Sequence, residues 1–149
     1  MKIFLDDKKI NNLADQLIKD FLIKCDNRDS AVRMLSGGNM QKVVTAREFS
    51  NNPHLVVANQ PTRGVDVGAT EFIRKKIVQL RDDGTAVLLI SADLNEVLEL
   101  SDSLIVMHNG HIAAYIPDAS KITDMELGEY MLGVKEQTPE EIAREAYDR

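Results

Sequence analysis

The chain has 149 residues, of which 44% are hydrophobic and 5% aromatic, with no tryptophan; that suits one domain, or part of a larger one, around an aliphatic core. Its 18 lysines and arginines against 24 acidic residues leave a net charge of −6, which argues against nucleic acid or an anionic membrane as a broad partner, since either would repel it at long range. The single cysteine, Cys25, cannot close an internal disulfide, so a reducing compartment is expected, and with no CxxC or Cys/His partner it reads as a small residue on a helix face. No run approaches about 18 apolar residues, and Met1-Lys2-Ile3-Phe4-Leu5-Asp6-Asp7 breaks into charge too early for a signal peptide. The protein is expected to be soluble.

Leu13, Leu17, Ile18, Phe21 and Leu22 form the stripe of an amphipathic helix, capped by Asn11 or Asn12 and ending near Lys24. A polar run over 26–30 leads to Ser36, placed to cap a second helix that runs to about Ser50 and is stopped by Asn51-Asn52-Pro53. Leu55-Val56-Val57-Ala58, bounded by Pro53 and Pro61, has the pattern of a strand buried on both faces. A third helix over 68–83 carries Phe72, Ile73, Ile77 and Leu80 and closes at Gly84. Ala86 to Ile90 repeats the buried-strand pattern, and Leu94 to Leu100 can form a short helix. This alternation predicts an α/β sheet with parallel members. Leu104–Met107 and Ile112–Ile116 flank Asn109-Gly110, a pair that favours a hairpin turn. From about Thr123 two short helical patterns are separated by Thr138-Pro139, the last too polar for the core.

Chemistry concentrates at Leu35-Ser36-Gly37-Gly38-Asn39-Met40-Gln41-Lys42, where a serine and two glycines open a helix. Bare backbone N–H groups and the helix dipole there suit a phosphate, although a plain cap with a flexible approach has the same pattern. His54, His108 and His111 lack metal-ligand spacing, and the last two flank the Asn109-Gly110 turn, where solvent exposure is expected. Arg74-Lys75-Lys76 reads as a solvated helix face, with Glu71 one turn before Lys75. The six methionines lack helical periodicity and read as core filler.

In order along the chain, the Ser36-Gly37-Gly38-Asn39 helix start, Asn59-Gln60-Pro61-Thr62-Arg63-Gly64-Val65-Asp66-Val67-Gly68-Ala69 and Ile90-Ser91-Ala92-Asp93-Leu94-Asn95-Glu96 resemble motifs of the ATP-binding cassette family. They look like its signature motif, its Walker B strand with D-loop, and its switch strand. The Pro-Thr-Arg-Gly-Val-Asp-Val-Gly-Ala form is similar to the second cassette of tandem ATPases serving sugar and nucleoside importers, and the likeness covers roughly residues 10 to 133. It implies a partial P-loop NTPase core, a parallel sheet with flanking helices, joined to part of the helical subdomain and a C-terminal β-hairpin. Residues 1–52 would end the helical subdomain, 53–133 form the C-terminal half of the core, and 134–149 a polar tail.

Departures from the pattern are informative. A P-loop needs G-x-x-x-x-G-K-[ST], but none of the eight glycines is followed by lysine. Where the family has the magnesium-assisting aspartate and the water-polarising glutamate, this chain has Asn59 and Gln60, and the switch histidine is replaced by Ala92. Amides carry neither the charge nor the basicity for those tasks. The cassette's own site is therefore expected to be degenerate, with no intact catalytic group and no metal ligand.

Family cassettes pair head to tail, so a signature completes the partner's ATP site. By resemblance, Ser36, Gly37, Gly38, Asn39 and Gln41 would serve ATP bound by a partner cassette, the N-terminal one of the same polypeptide, and Asp66 in the D-loop would couple the two sites. ATP with magnesium would belong to the complete assembly, with none bound by the isolated fragment, which would be inactive and prone to self-association. The assembly would sit at the inner face of the cell membrane, on permease subunits, served indirectly by an extracytoplasmic substrate-binding protein. Two other readings fit less well: a stand-alone non-catalytic module, and the ATPase lobe of a chromosome-maintenance or DNA-repair protein. The latter needs a long coiled coil entering the signature helix, where only one short helix precedes it.

Overall fold

The computed structural model describes residues 6–51 and 53–147, and the chain divides after Leu88 into two compact units. In the first, α1 (Asp7–Asp20), a 3₁₀ turn (Val32–Met34), α2 (Gly37–Phe49), β1 (Leu55–Asn59) and α3 (Val67–Asp82) lead into β2 (Ala86–Ile90). Phe21, Ile23 and Ala46 are buried together, with Leu17, Ile18, Leu35, Val43, Phe49 and Phe72 packed around them. The expected caps at Asn11 or Asn12 are corrected: Asp6 caps α1 by accepting from Lys9 N at 3.1 Å, because the helix begins a turn and a half before its apolar stripe. It also ends earlier than Lys24. Leu22 turns left-handed (φ 51°) while its N–H reaches Lys19 O (3.2 Å) and Ile23 N–H reaches Ile18 O (2.9 Å), the paired bonds that close a helix end. Cys25 consequently lies beyond the helix, half-buried against the Phe21 cluster rather than on a helix face.

β1 and β2 pair in a two-stranded parallel sheet, with Ala86 N–H donating to His54 O at 3.0 Å and α3 as the crossover. Gly84 (φ 91°) ends α3 where the sequence placed its stop. Burial on both strand faces is not observed. Ala58 is buried, but Leu55 and Val57 are 59% and 57% exposed and Leu88 and Ile90 50% and 45%. Each strand alternates, so one face of the pair is covered and the other is open.

The second unit holds α4 (Leu94–Leu100), β3 (Leu104–His108), β4 (His111–Ile116), a 3₁₀ turn (Ala119–Lys121), α5 (Asp124–Met131) and α6 (Pro139–Tyr147). β3 and β4 form the expected antiparallel hairpin, Asn109 and Gly110 both adopting positive φ (45° and 83°). Leu104, Val106 and Ala114 on one hairpin face bury against Leu127 and Tyr130 of α5. His108 departs from simple exposure: half-buried, its Nδ1 lies 3.0 Å from Met131 O. His111 is exposed, 3.2 Å from Glu136 Oε1. The methionine expectation also fails, since Met34, Met40, Met107 and Met125 are exposed and only Met131 among the described ones packs on a core; Met1 lies outside the described residues. α6 buries no residue, as its polarity led one to expect. Its approach is anchored by Gln137, whose N–H donates to Ala113 O (2.9 Å) and whose amide accepts from Tyr115 N (2.8 Å).

Candidate functional site

The start of α2 brings Ser36, Gly37, Gly38 and Asn39 into one turn. Ser36 is extended (φ −63°, ψ 157°) and caps the helix, its Oγ accepting from Asn39 N at 3.4 Å and from Asn39 Nδ2 at 2.9 Å. Both contacts use the oxygen as acceptor, so the hydroxyl hydrogen is left to donate outward. Gly37 and Gly38 occupy the first two helical positions, whose N–H groups have no intrahelical acceptor. Ser36 and Gly37 are exposed, whereas Gly38 is buried. Asn39 Oδ1 in turn accepts from Lys24 N at 2.8 Å, tying the loop after α1 to this turn. The result is an exposed serine hydroxyl and a helix N-terminus, suited to an anion.

Gln41 does not point at this turn: its Nε2 donates to Pro61 O at 2.9 Å, holding α2 to the loop after β1. Asp66, in the same loop system, caps α3 by accepting from Ala69 N at 2.9 Å. Sequence reasoning missed these ties, since nothing in residue type or spacing announces which side chain lies beside a glycine.

Asn59 ends β1, exposed, and Gln60 follows with φ 50° and its carbonyl accepting from Arg63 N at 3.2 Å. The pair offers amides only, a donor set that does not fit a magnesium ion, which takes carboxylate and water oxygens. Ala92 lies in the other unit, exposed, between β2 and α4. Among the described residues no group of three His, Cys, Asp or Glu is arranged to hold a metal, and no helix is long and apolar enough to cross a membrane.

No family model matches the chain. In three dimensions it is similar to the ATP-binding cassette MJ1267 of an ABC transporter, with a TM-score of 0.62 and 28% identity over 87% of this chain and 49% of that one. The dimeric ABC transporter cassette MJ0796 shares the fold, with a TM-score of 0.67 and 22% identity over 82% of this chain and 52% of that one. The chain belongs to the ATP-binding cassette ATPases. Among characterised relatives, it is 45% identical over 130 residues to the nucleoside import ATP-binding protein NupA of Lactococcus lactis, covering 87% of this chain and 26% of that protein. It is 46% identical over 112 residues to the glucose import ATP-binding protein TsgD13 of Haloferax volcanii, covering 74% of this chain and 20% of that protein. The chain thus spans about a quarter or less of the relatives it matches.

Proposed function

We propose that this chain is the C-terminal part of the second, degenerate cassette of a sugar or nucleoside importer ATPase, and that its α2 start completes the ATP site of a partner cassette. The observation that carries the reading is the contrast within one chain. Ser36, Gly37 and Gly38 keep donors at a helix N-terminus, while Asn59, Gln60 and Ala92 stand where carboxylates and a histidine would act. Relatives named for nucleoside and glucose import support the class of cargo.

In this reading Ser36 donates its O–H to the γ-phosphate of ATP held by the N-terminal cassette of the same polypeptide, and Gly37 and Gly38 supply backbone N–H groups. Asn39 orients Ser36 through its amide, and Gln41 acts by holding the turn to Pro61. Asp66 faces the cassette interface in the D-loop. MgATP would supply the phosphoryl group whose hydrolysis drives transport, and its metal would be held by the partner cassette that binds the nucleotide, whereas Asn59 and Gln60 belong to this cassette's own site and offer a metal there no carboxylate. The assembly works in the cytoplasm at the inner membrane face, on a permease that receives cargo from an extracytoplasmic binding protein.

Restoring acids tests the division of labour. Asn59→Asp with Gln60→Glu in the reconstituted importer is expected to change steady-state phosphate release by less than about threefold, because Ala92 still provides no switch group. A rise of about tenfold or more would contradict the reading.

A further inference from the structure

Gly38 and Gly37 differ in their surroundings. A Cβ on Gly37 would meet nothing nearer than Gly64 O at 3.8 Å, whereas a Cβ on Gly38 would stand 2.7 Å from Asp66 Oδ2 and 3.1 Å from Ala69 Cβ. Asp66 is not free to move aside. Its Oδ1 accepts from Ala69 N at 2.9 Å as the cap of α3, and a carboxylate is planar, so fixing one oxygen fixes the other unless the cap is given up. Two further ties join the same elements: Gln41 Nε2 to Pro61 O at 2.9 Å, and Lys42 Nζ over the Phe72 ring at 4.8 Å. The N-terminus of α2 and that of α3 therefore converge on one carboxylate, where both helix dipoles favour negative charge.

We infer that Asp66 is a positioning residue for the signature turn of its own chain. Its carboxylate caps α3 with one oxygen and seats Gly38 against the other, so the start of α2 and the loop that carries Asp66 are set as one rigid piece. Gly38 is then glycine for want of room, in addition to its bare N–H. The inference rests on the proposed reading of Ser36–Asn39 and adds a link within the chain to the expected link across the cassette interface. A displacement of the signature turn by a partner's nucleotide would move Asp66 with it.

Alanine is ordinarily favoured over glycine inside a helix, so the sign of the substitution discriminates. In thermal unfolding of this chain without nucleotide, Gly37→Ala is expected to hold or raise the midpoint and Gly38→Ala to lower it by about 3 °C or more. Asp66→Ser keeps a capping oxygen but withdraws the second one, and in that background the Gly38→Ala loss should shrink by more than half. Amide hydrogen exchange gives a reading that a cap serving α3 alone would not move: Asp66→Ser should speed exchange of Met40 and Gln41 in α2 about tenfold, with protection restored by Asp66→Asn. A Gly38→Ala midpoint that rises with that of Gly37→Ala, or α2 amides indifferent to Asp66→Ser, would overturn the inference. Neither readout involves nucleotide, so such a failure would leave the proposed function standing, and failure of the transport assays would leave this link untouched.

Discussion

Asn39 joins two segments that are distant in sequence, accepting from Lys24 N through Oδ1 and donating to Ser36 Oγ through Nδ2. Asn39→Ala removes both bonds at an exposed site where water can replace them, so a loss of about 1 kcal/mol is expected, seen as a midpoint about 2–4 °C lower. Gly133 is constrained more tightly. Its φ of 69° is left-handed and an added Cβ would meet the His108 ring, 2.6 Å from Cδ2, while His108 itself is held by Met131 O. Gly133→Ala should therefore destabilise the second unit by about 1–2 kcal/mol, measured by chemical denaturation; an unchanged midpoint would contradict this account of the α5 end. At this scale Ser36 was legible, because a serine before two glycines is a strong cap signal. Asp6 was not, since capping is decided where the backbone turns rather than where the apolar stripe begins.

Helices and strands were read more fully than single contacts. Every expected helix and strand is present within a few residues, because stripes such as Ile73 and Ile77 on α3 fix type and face together. What failed was the α1 end and the burial of the strands. Leu22 stops α1 in a left-handed conformation that a leucine does not advertise, and an apolar run such as Leu55–Ala58 reads as doubly buried whether or not something covers its second face. α6 offers a pH test. Thr138 N–H donates to Glu141 Oε2 at 2.8 Å and Glu141 N–H to Thr138 Oγ1 at 3.3 Å, a reciprocal cap. The Thr138 N–H, then its hydroxyl, hold the Glu141 carboxyl below its usual range. A lowered folded-state value means that the cap stabilises above the pKa of the unfolded carboxylate and is lost as pH falls through the folded one. Helical carbon shifts of Ala143 should thus be constant from pH 7 to about 5 and decline below about 4; shifts unchanged at pH 2 would refute the cap.

For the whole chain, apolar surface decides behaviour in isolation. Leu55, Val57, Leu88 and Ile90 are exposed on one strand pair, and Ile105 and Met107 on the other. Such faces associate, so sedimentation at about 100 μM should show a dimer or larger species, and a clean monomer would contradict that expectation. The family was legible because several motifs recur in order, each tied to a turn that the backbone must make; the packing of Gly38 on Asp66 was not, because it joins residues whose types carry no signal for each other. The central claim is that the α2 start serves a nucleotide held by a partner, and Gly37 tests it most directly. Its added Cβ makes only an ordinary van der Waals contact, with Gly64 O at 3.8 Å, and an aspartate in a first helical turn is favoured by the dipole, so Gly37→Asp places a carboxylate at the phosphate site without disturbing the fold. Steady-state phosphate release by the reconstituted importer should then fall at least about tenfold while the unfolding midpoint holds. Release at the unsubstituted rate by the folded variant would contradict the account.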